Sequence, residues 1–242
     1  MIRVSVLELP ARWNARADAL AETDELLARA PTDLAILPEM ALEGYVSAEG
    51  DFDRASCAET IDGATVHEVL ALAKTHRAYL VAPLVLAEGG RIYNALFVAS
   101  PDGSVAAVYR KRRPWFPETW ATPGEAPPPV IEIGGVVITT AICFDAHFVA
   151  DDAGDALAAA DLLVFTSAWV DEEDSRIPLL RNIARRFGTA VANANWSAGI
   201  VSVPGQGGSC ILGAGGEMLA SVAPGDGRAD ASIDRLAAAW DR

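Results

Sequence analysis

The sequence predicts an α/β fold in which helices pack against the outside of stacked β-sheets. Short apolar runs rich in β-branched residues, which are typical of strands, alternate along the chain with segments of helical periodicity. Turns at Gly89-Gly90 and Pro101-Asp-Gly103 separate consecutive predicted strands and indicate an antiparallel meander. Because hairpins and strand–helix alternation occur in the same chain, we expect mixed sheets covered by helices.

The first half of the chain is predicted to contain five strands and two helices. The strands are expected at residues 2–9, 34–38, 79–87, 92–99 and 104–110. Asn14 is a candidate cap for a first helix that ends near Ala30, and the second helix is expected from Thr65 to Arg77. Residues 112–129 hold six prolines and two tryptophans, so they are predicted to form a loop whose length suggests a functional role.

The second half is predicted to contain further strands and two helices. The strands are expected at residues 130–133, 136–143, 162–166, 190–194, 207–212, 217–222 and 229–233. The helices are expected at residues 154–160 and 177–187. With 242 residues, 51% of them hydrophobic, and no linker rich in Pro, Gly or Ser, we expect a single domain over residues 1–242.

The composition argues against several classes of partner. The net charge of −14 disfavours nucleic acid and anionic membrane surfaces, because both bind basic patches. The apolar N-terminus is too short and interrupted for a signal peptide, and no apolar stretch approaches the roughly 20 residues of a membrane span. The three cysteines lack the spacing of a disulfide framework or a zinc site, so we expect reduced thiols, no metal and a cytoplasmic location.

Three reactive side chains stand at the ends of predicted strands, namely Glu39, Lys111 and Cys143. Chemistry in open α/β sheets usually takes place at the carboxyl ends of the strands, so a carboxylate, an ammonium and a thiol there form a plausible catalytic set. Each residue alone has a simpler explanation, since a lone cysteine usually packs in the core and a lone charge usually lies in solvent. Cys57 and Cys210 have no comparable charged partners and are expected to be packing residues.

The chemistry of this set would be nucleophilic. A thiol attacks a carbonyl or nitrile carbon as the thiolate, and Glu39 would take its proton, pass it to a leaving amine and later activate water. Lys111, helped by the backbone N–H of Phe144, would stabilise the oxyanion of the tetrahedral intermediate. His147 follows Cys143 by four residues, which leaves a Cys–His dyad open beside a structural role for the histidine.

Three motifs surround these residues, and they are Leu37-Pro38-Glu39-Met40, Tyr109-Arg110-Lys111 and Ile142-Cys143-Phe144-Asp145. They resemble the Pro-Glu strand end, the Tyr-x-Lys and the Ile-Cys-aromatic-acidic turn of the carbon–nitrogen hydrolase (nitrilase) superfamily, and the resemblance runs across most of the chain. It implies a four-layer αββα sandwich and a catalytic triad of Glu39, Lys111 and Cys143. It further implies that no cofactor is needed and that the protein forms a homodimer or a higher homo-oligomer.

Glu118 ends a segment that looks most like the aliphatic-amidase branch of this superfamily, in which a second glutamate positions the substrate amide. The resemblance implies that Glu118 accepts the amide N–H and orients the carbonyl for attack. Trp115, Trp120 and Phe116 of the same loop are expected to form an apolar wall for the acyl group. Trp169 is expected to line the mouth of the pocket.

The expected function is hydrolysis of small-molecule linear amides through an acyl-enzyme on Cys143. Two stretches, residues 147–150 and 181–187, depart from the superfamily pattern and leave the substrate class and the subunit packing open. A nitrilase or an N-carbamoyl amide hydrolase would use the same triad, and an acyltransferase would pass the acyl group to an amine instead of water. A catalytically silent binding protein on the same scaffold is the alternative from a different class.

Overall fold

The computed structural model describes residues 1–173 and 175–235. Within this part of the chain, twelve strands form two six-stranded sheets, and five α-helices accompany them. The strands are β1 (Ile2–Leu7), β2 (Leu34–Ile36), β3 (Tyr79–Glu88), β4 (Arg91–Ala99), β5 (Val105–Arg110), β6 (Ile131–Ile133), β7 (Val136–Ile142), β8 (Leu162–Ser167), β9 (Ala190–Asn195), β10 (Cys210–Leu212), β11 (Met218–Ser221) and β12 (Arg228–Ile233). The helices are α1 (Arg16–Ala28), α2 (Ala64–His76), α3 (Val149–Asp152), α4 (Gly154–Ala159) and α5 (Arg176–Phe187).

Each sheet has three parallel strands at its centre. The first sheet has the order β12-β1-β2-β3-β4-β5, in which β1, β2 and β3 are parallel. The second has the order β11-β10-β9-β8-β7-β6, in which β7, β8 and β9 are parallel. Two antiparallel pairings, β3 with β4 and β4 with β5, return β5 to the direction of β2. The carboxyl ends of β2 and β5 therefore lie at one edge of the first sheet, as those of β7 and β8 do in the second.

The alternation of side chains along the strands divides the core. On β2, Leu34 and Ile36 join the apolar cluster shared by both sheets, whereas Ala35 and the following Leu37 join the cluster under α1 and α2. Helices α4 and α5 contact β7 and β9 of the second sheet. The result is a four-layer αββα sandwich, which confirms the predicted fold. Across the described residues, none of the helices is both long and apolar enough to span a bilayer.

The predicted helices and the meander occur where the sequence predicts them, but the short helix α3 was not predicted and two further details differ. Asn14 does not cap α1, because its φ is +53° and its side-chain oxygen accepts a hydrogen bond from Arg54 at 2.6 Å. Strand β10 begins at Cys210 rather than at residue 207, because Gly207 and Gly208 have positive φ angles of 77° and 66° that no strand allows. Of the predicted single domain over residues 1–242, residues 174 and 236–242 lie outside the described part of the chain.

Candidate active site

The three reactive residues lie together where the carboxyl ends of the strands meet. Glu39 follows β2, Lys111 follows β5 directly and Cys143 follows β7 directly. All three are buried, with exposed fractions of 2%, 0% and 8%. The charges of Glu39 and Lys111 both act on the Cys143 thiol, so the two sheets bring one site together from distant parts of the sequence. Their catalytic roles stay predictions.

A network of hydrogen bonds holds the charged residues in place. The ammonium of Lys111 donates to Glu39 Oε1 at 2.7 Å and to Glu118 Oε1 at 2.5 Å. The Tyr45 hydroxyl donates to the same oxygen of Glu118 at 2.7 Å, and the backbone N–H of Ala168 donates to Glu39 Oε2 at 3.0 Å. Every one of these side chains is less than 5% exposed, so the ion pairs lie out of reach of bulk water.

Burial and neighbouring charges determine the protonation of this network. Burial by itself would lower the pKa of Lys111, but Glu39, Glu118 and Cys143 outweigh it and raise that pKa, so the ammonium stays charged. The pKa of Glu118 is raised, chiefly by burial and further by Glu39, although Lys111 opposes the rise. Two carboxylates thus share one ammonium in a dry environment.

Cys143 begins a 3-10 turn, Cys143–His147, with a φ of +44° that residues other than glycine rarely adopt. Burial and then the Glu39 carboxylate raise the pKa of its thiol well above the usual range, while Lys111 and the backbone N–H of Ala168 lower it. The thiol therefore rests in its neutral form. A base must take its proton before or during any attack on a substrate.

Asp145 connects this turn to the end of β5. Its carboxylate accepts hydrogen bonds from the Tyr109 hydroxyl at 2.9 Å, the Arg113 N–H at 2.8 Å and the Ile142 N–H at 3.1 Å. Burial raises the pKa of Asp145 to about 6, against the opposing effect of Lys111 and these donors. Since Tyr109 and Arg113 flank Lys111 in the sequence, Asp145 fixes the lysine relative to the turn that carries the thiol.

A cavity of about 270 Å³ opens beside the thiol. It is lined by Cys143 and Ala168 and by the aromatic side chains of Trp115, Phe144 and Trp169. The three aromatic residues predicted to bind substrate therefore do line one cavity with the predicted nucleophile. Their roles in binding stay predictions.

The other predicted wall residues lie elsewhere. Phe116 is 79% exposed and packs edge-on against Trp115, and Trp120 packs in the apolar cluster with Tyr45 instead of lining the cavity. Glu118, which was predicted to bind the substrate amide, is 3% exposed and belongs to the buried network around Lys111.

His147 lines the cavity too, but its ring stacks on Trp169 with centroids 5.5 Å apart and an angle of 29°. The groups that act on the thiol are Glu39, Lys111, Glu118 and Ala168, so the structure favours a wall position for His147 over a dyad with Cys143.

Two members of the buried network, Asn94 and Tyr45, were not predicted from the sequence. The Asn94 amide, 1% exposed, donates to Glu39 Oε1 at 2.9 Å and to Glu118 Oε2 at 3.1 Å. Its signal is a polar residue at an inward-facing position of an otherwise apolar strand, which is rare unless the group is hydrogen-bonded. Tyr45 gave no such signal, because it lies in an irregular segment after Glu39 where no periodicity assigns a direction.

The expectation for Cys57 was wrong. Its thiol lies 2.7 Å from the Arg54 guanidinium, which stacks 3.8 Å from the centroid of the Trp13 ring, and Cys57 is only half-buried. Cys210 is the first residue of β10 and packs in the apolar core shared by the two sheets, as expected. Within residues 1–173 and 175–235, no group of three or more His, Cys, Asp or Glu side chains is arranged to hold a metal ion.

The site has two parts of different chemical character. The charged cluster comprises Glu39, Tyr45, Asn94, Lys111 and Glu118. The cavity wall comprises Trp115, Phe144, His147, Trp169 and Asp171. The two parts meet at Cys143.

An αββα sandwich with a buried glutamate, lysine and cysteine at one end has the architecture of the nitrilase-type enzymes. The chain belongs to the carbon–nitrogen hydrolase family, whose model matches residues 3–241. The predicted family and class of enzyme are thereby confirmed.

Similar proteins extend this result. A curated protein of Pseudomonas protegens, named hydrolase in pqqF 5′ region, is 29% identical over 174 residues, a match that covers 69% of this chain and 59% of that protein. The chain thus spans less than two thirds of that relative's length. The crystal structure of an amidase from Nesterenkonia sp. is 27% identical, with a TM-score of 0.83 over 97% of this chain and 91% of that one.

A mutant of the amidase from Nesterenkonia sp. AN1 shows covalent addition of the acetamide moiety of fluoroacetamide at its active site cysteine. That structure is 25% identical to this chain, with a TM-score of 0.80 over 95% of this chain and 89% of that one.

Proposed function

We propose that the protein hydrolyses linear amides to a carboxylic acid and ammonia or an amine, through an acyl-enzyme on Cys143. The observation that carries this proposal is the charged cluster buried directly against a thiol that opens into a cavity. Membership of the carbon–nitrogen hydrolase family and the likeness to an amidase support amide C–N bonds as the target.

In the first step, Glu39 takes the thiol proton while Cys143 Sγ forms a bond to the carbonyl carbon. The raised pKa of Cys143 makes this transfer necessary, because little thiolate is present at rest. The oxyanion that forms is stabilised by the Lys111 ammonium and the backbone N–H of Phe144. Lys111 suits this role because its charge is permanent and its position is fixed by two carboxylates.

In the second step, the C–N bond breaks and Glu39 returns the proton to the leaving nitrogen, which leaves a thioester on Cys143. Water then enters, gives a proton to Glu39 and attacks the thioester carbon. Collapse of this second intermediate breaks the C–S bond and releases the carboxylic acid, and Glu39 returns its proton to Cys143 Sγ, which restores the thiol. Glu39 thus acts in alternation as base and acid.

Glu118 is assigned to the amide nitrogen. Its Oε1 accepts bonds from Lys111 and Tyr45, whereas among the described residues Oε2 receives a bond from Asn94 alone. A carboxylate oxygen can accept more than one hydrogen bond, so Oε2 retains capacity for an amide N–H. A nitrile nitrogen carries no proton to donate, which is why we expect amides to be preferred.

The test is ammonia release from matched pairs that carry the same acyl group once as the amide and once as the nitrile. We expect faster release from the amides, together with an acyl adduct on Cys143 in intact-mass spectra. The adduct should be absent in Cys143→Ala. It should be present in the control Cys57→Ser, because Cys57 is not among the residues that line the cavity. Faster release from the nitriles across several pairs, or an adduct at another residue, would contradict the proposal.

Self-association as a homodimer or higher oligomer is part of the proposal, because the superfamily resemblance implies it. Light scattering at micromolar concentration measures it directly, and a monomer mass would count against it.

A further inference from the structure

Asn94 occupies a position between the two buried carboxylates that the proposed mechanism does not explain. Both hydrogens of its amide are used, one on Glu39 Oε1 at 2.9 Å and one on Glu118 Oε2 at 3.1 Å. Its backbone oxygen accepts the N–H of Lys111 at 2.8 Å, which places the amide beside the lysine by strand register. Asn94 is therefore bonded to all three charged members of the cluster.

The orientation of this amide is determined by its surroundings. The reverse orientation would direct the amide oxygen, an acceptor with a partial negative charge, at two carboxylates that can only accept hydrogen bonds, so it is unfavourable. As oriented, Asn94 Oδ1 is buried and has no hydrogen-bond partner among residues 1–173 and 175–235. An orphaned acceptor is unfavourable, so the two donated bonds must stabilise the site by more than the unpaired oxygen destabilises it.

Electrostatics explains why two donors are useful at this point. Glu39 and Glu118 share one ammonium, and two neighbouring carboxylates in a dry site favour protonation of one of them. Apart from Asn94, the titratable or donor groups that face the pair are Lys111 after β5, Tyr45 after β2, and Cys143 and the Ala168 N–H after β7 and β8. Asn94 adds donors to both carboxylates without adding a charge.

We propose that Asn94 is a positioning residue that, by donating to both carboxylates of the Glu39–Glu118 pair, favours the charged form of the pair and holds its two members a fixed distance apart on either side of Lys111. This inference rests on the proposed function, since Glu39 is the base that the proposed mechanism requires. Without the two donors, one carboxylate would remain protonated to a higher pH. The carboxylate pair would then have room for the thiol proton only in more alkaline solution.

The test is the rate at which iodoacetamide alkylates Cys143 as a function of pH, resolved by peptide mass spectrometry in a Cys57→Ser background. Alkylation requires the thiolate, so the rate falls at low pH when the base that takes the thiol proton is itself protonated. This acid limb of the pH profile can be measured without a known substrate. In Asn94→Leu, which has a similar volume and no donor, we expect the midpoint of the acid limb to move up by about one pH unit, because bonds to charged groups are the stronger ones. In Asn94→Asp, which adds a third carboxylate, we expect a larger upward shift.

Asn193→Leu is the matched control, because Asn193 is a buried strand asparagine whose Oδ1 also has no hydrogen-bond partner among the described residues. Its amide donates to Phe165, Ser167 and Ala194 instead of to the carboxylate pair. Its midpoint should stay that of the parent. Coincident profiles for parent and a folded Asn94→Leu would overturn the inference, and Asn94→Asp carries the same test if the leucine variant does not fold. Failure of the proposed function is a separate result, seen as no ammonia and no acyl adduct from the parent enzyme while the shift in alkylation remains.

Discussion

The charged cluster and the cavity wall meet at Cys143, yet they are built in different ways. The cluster joins side chains from β4, from the end of β5 and from the segments that follow β2 and β5, and each is less than 5% exposed. The wall comes from loops and from the turn after β7, and it includes an exposed histidine and half-buried aromatic rings. Ion pairs and short hydrogen bonds hold the first, whereas ring packing holds the second.

This difference separates two functions. A dry cluster in which each charge has a partner cannot lose one member without leaving another charge buried and unpaired, so it must act as a unit. A wall of packed rings can change one ring and keep its neighbours, so it can adapt to another substrate. We therefore expect changes in the cluster to affect the chemical step and changes in the wall to affect substrate binding.

The largest effect is expected at the residue where the two parts meet. Cys143→Ala should lower turnover by at least about 10⁴-fold, because removal of the nucleophile ends the covalent route. Ammonia release measures the loss, and thermal unfolding checks that the fold persists. Activity within tenfold of the parent would mean that the reaction does not pass through this thiol.

Within the cluster, Glu39→Gln should lower kcat by roughly 10²–10⁴-fold, because the amide keeps the hydrogen-bonding shape but cannot carry a proton. Combined with Cys143→Ala it should add little further loss, since both residues serve the same step. Losses that multiply in the double mutant would show that the two residues act independently.

Lys111→Met should lower kcat by about 10²–10³-fold through loss of oxyanion stabilisation. It should also destabilise the fold by about 3–5 kcal/mol at neutral pH, because Glu39 and Glu118 are left buried without their cation. This penalty should diminish as the pH falls, since protonation removes the charge that is unpaired in the folded state.

Denaturant unfolding at pH 5 and pH 7 measures the destabilisation. The control is Lys74→Met, because Lys74 is the other lysine of the chain and lies on the exposed face of α2. Equal stability of Lys111→Met and the parent at neutral pH would argue against an ion-paired cluster.

Glu118→Ala should reduce kcat/KM for amides by roughly tenfold to a hundredfold, because the amide is less well oriented, and it should reduce the preference for amides over nitriles. Glu125→Ala is a matched control, since Glu125 belongs to the same loop and its side chain is 85% exposed. An unchanged ratio of kcat/KM for amides to kcat/KM for nitriles in Glu118→Ala would show that Glu118 does not orient the amide.

The smallest effect is expected in the wall. Trp115→Ala should raise KM about tenfold for amides with apolar acyl groups and change kcat little, because it removes apolar contact area and no reacting group. Phe116→Ala, at the exposed neighbouring ring, should leave both constants close to those of the parent. A fall in kcat in Trp115→Ala without a change in KM would contradict the expectation that the cavity wall affects binding and the charged cluster affects the chemical step.

Local patterns in the sequence were sufficient for most of the fold and for the central residues of the site. Strand periodicity located the ends of β2, β5 and β7, and the residue after or near each end is Glu39, Lys111 or Cys143. This works because side-chain alternation and strand breaks depend on neighbours in the chain. The motifs around the same three residues indicated the family.

The stacking of the two sheets decided what no local pattern could predict. It places the Ala168 N–H from the second sheet on Glu39 of the first. Within the first sheet, the pairing of β4 with β3 and β5 directs Asn94 at two carboxylates that lie 55 and 24 residues away in sequence. Tertiary packing also brings the Arg54 guanidinium to the side-chain oxygen of Asn14, 40 residues away in sequence, and Asn14 does not cap α1. Hydrogen-bond partners in a buried site depend on three-dimensional distance, which strand direction and register determine and sequence spacing does not.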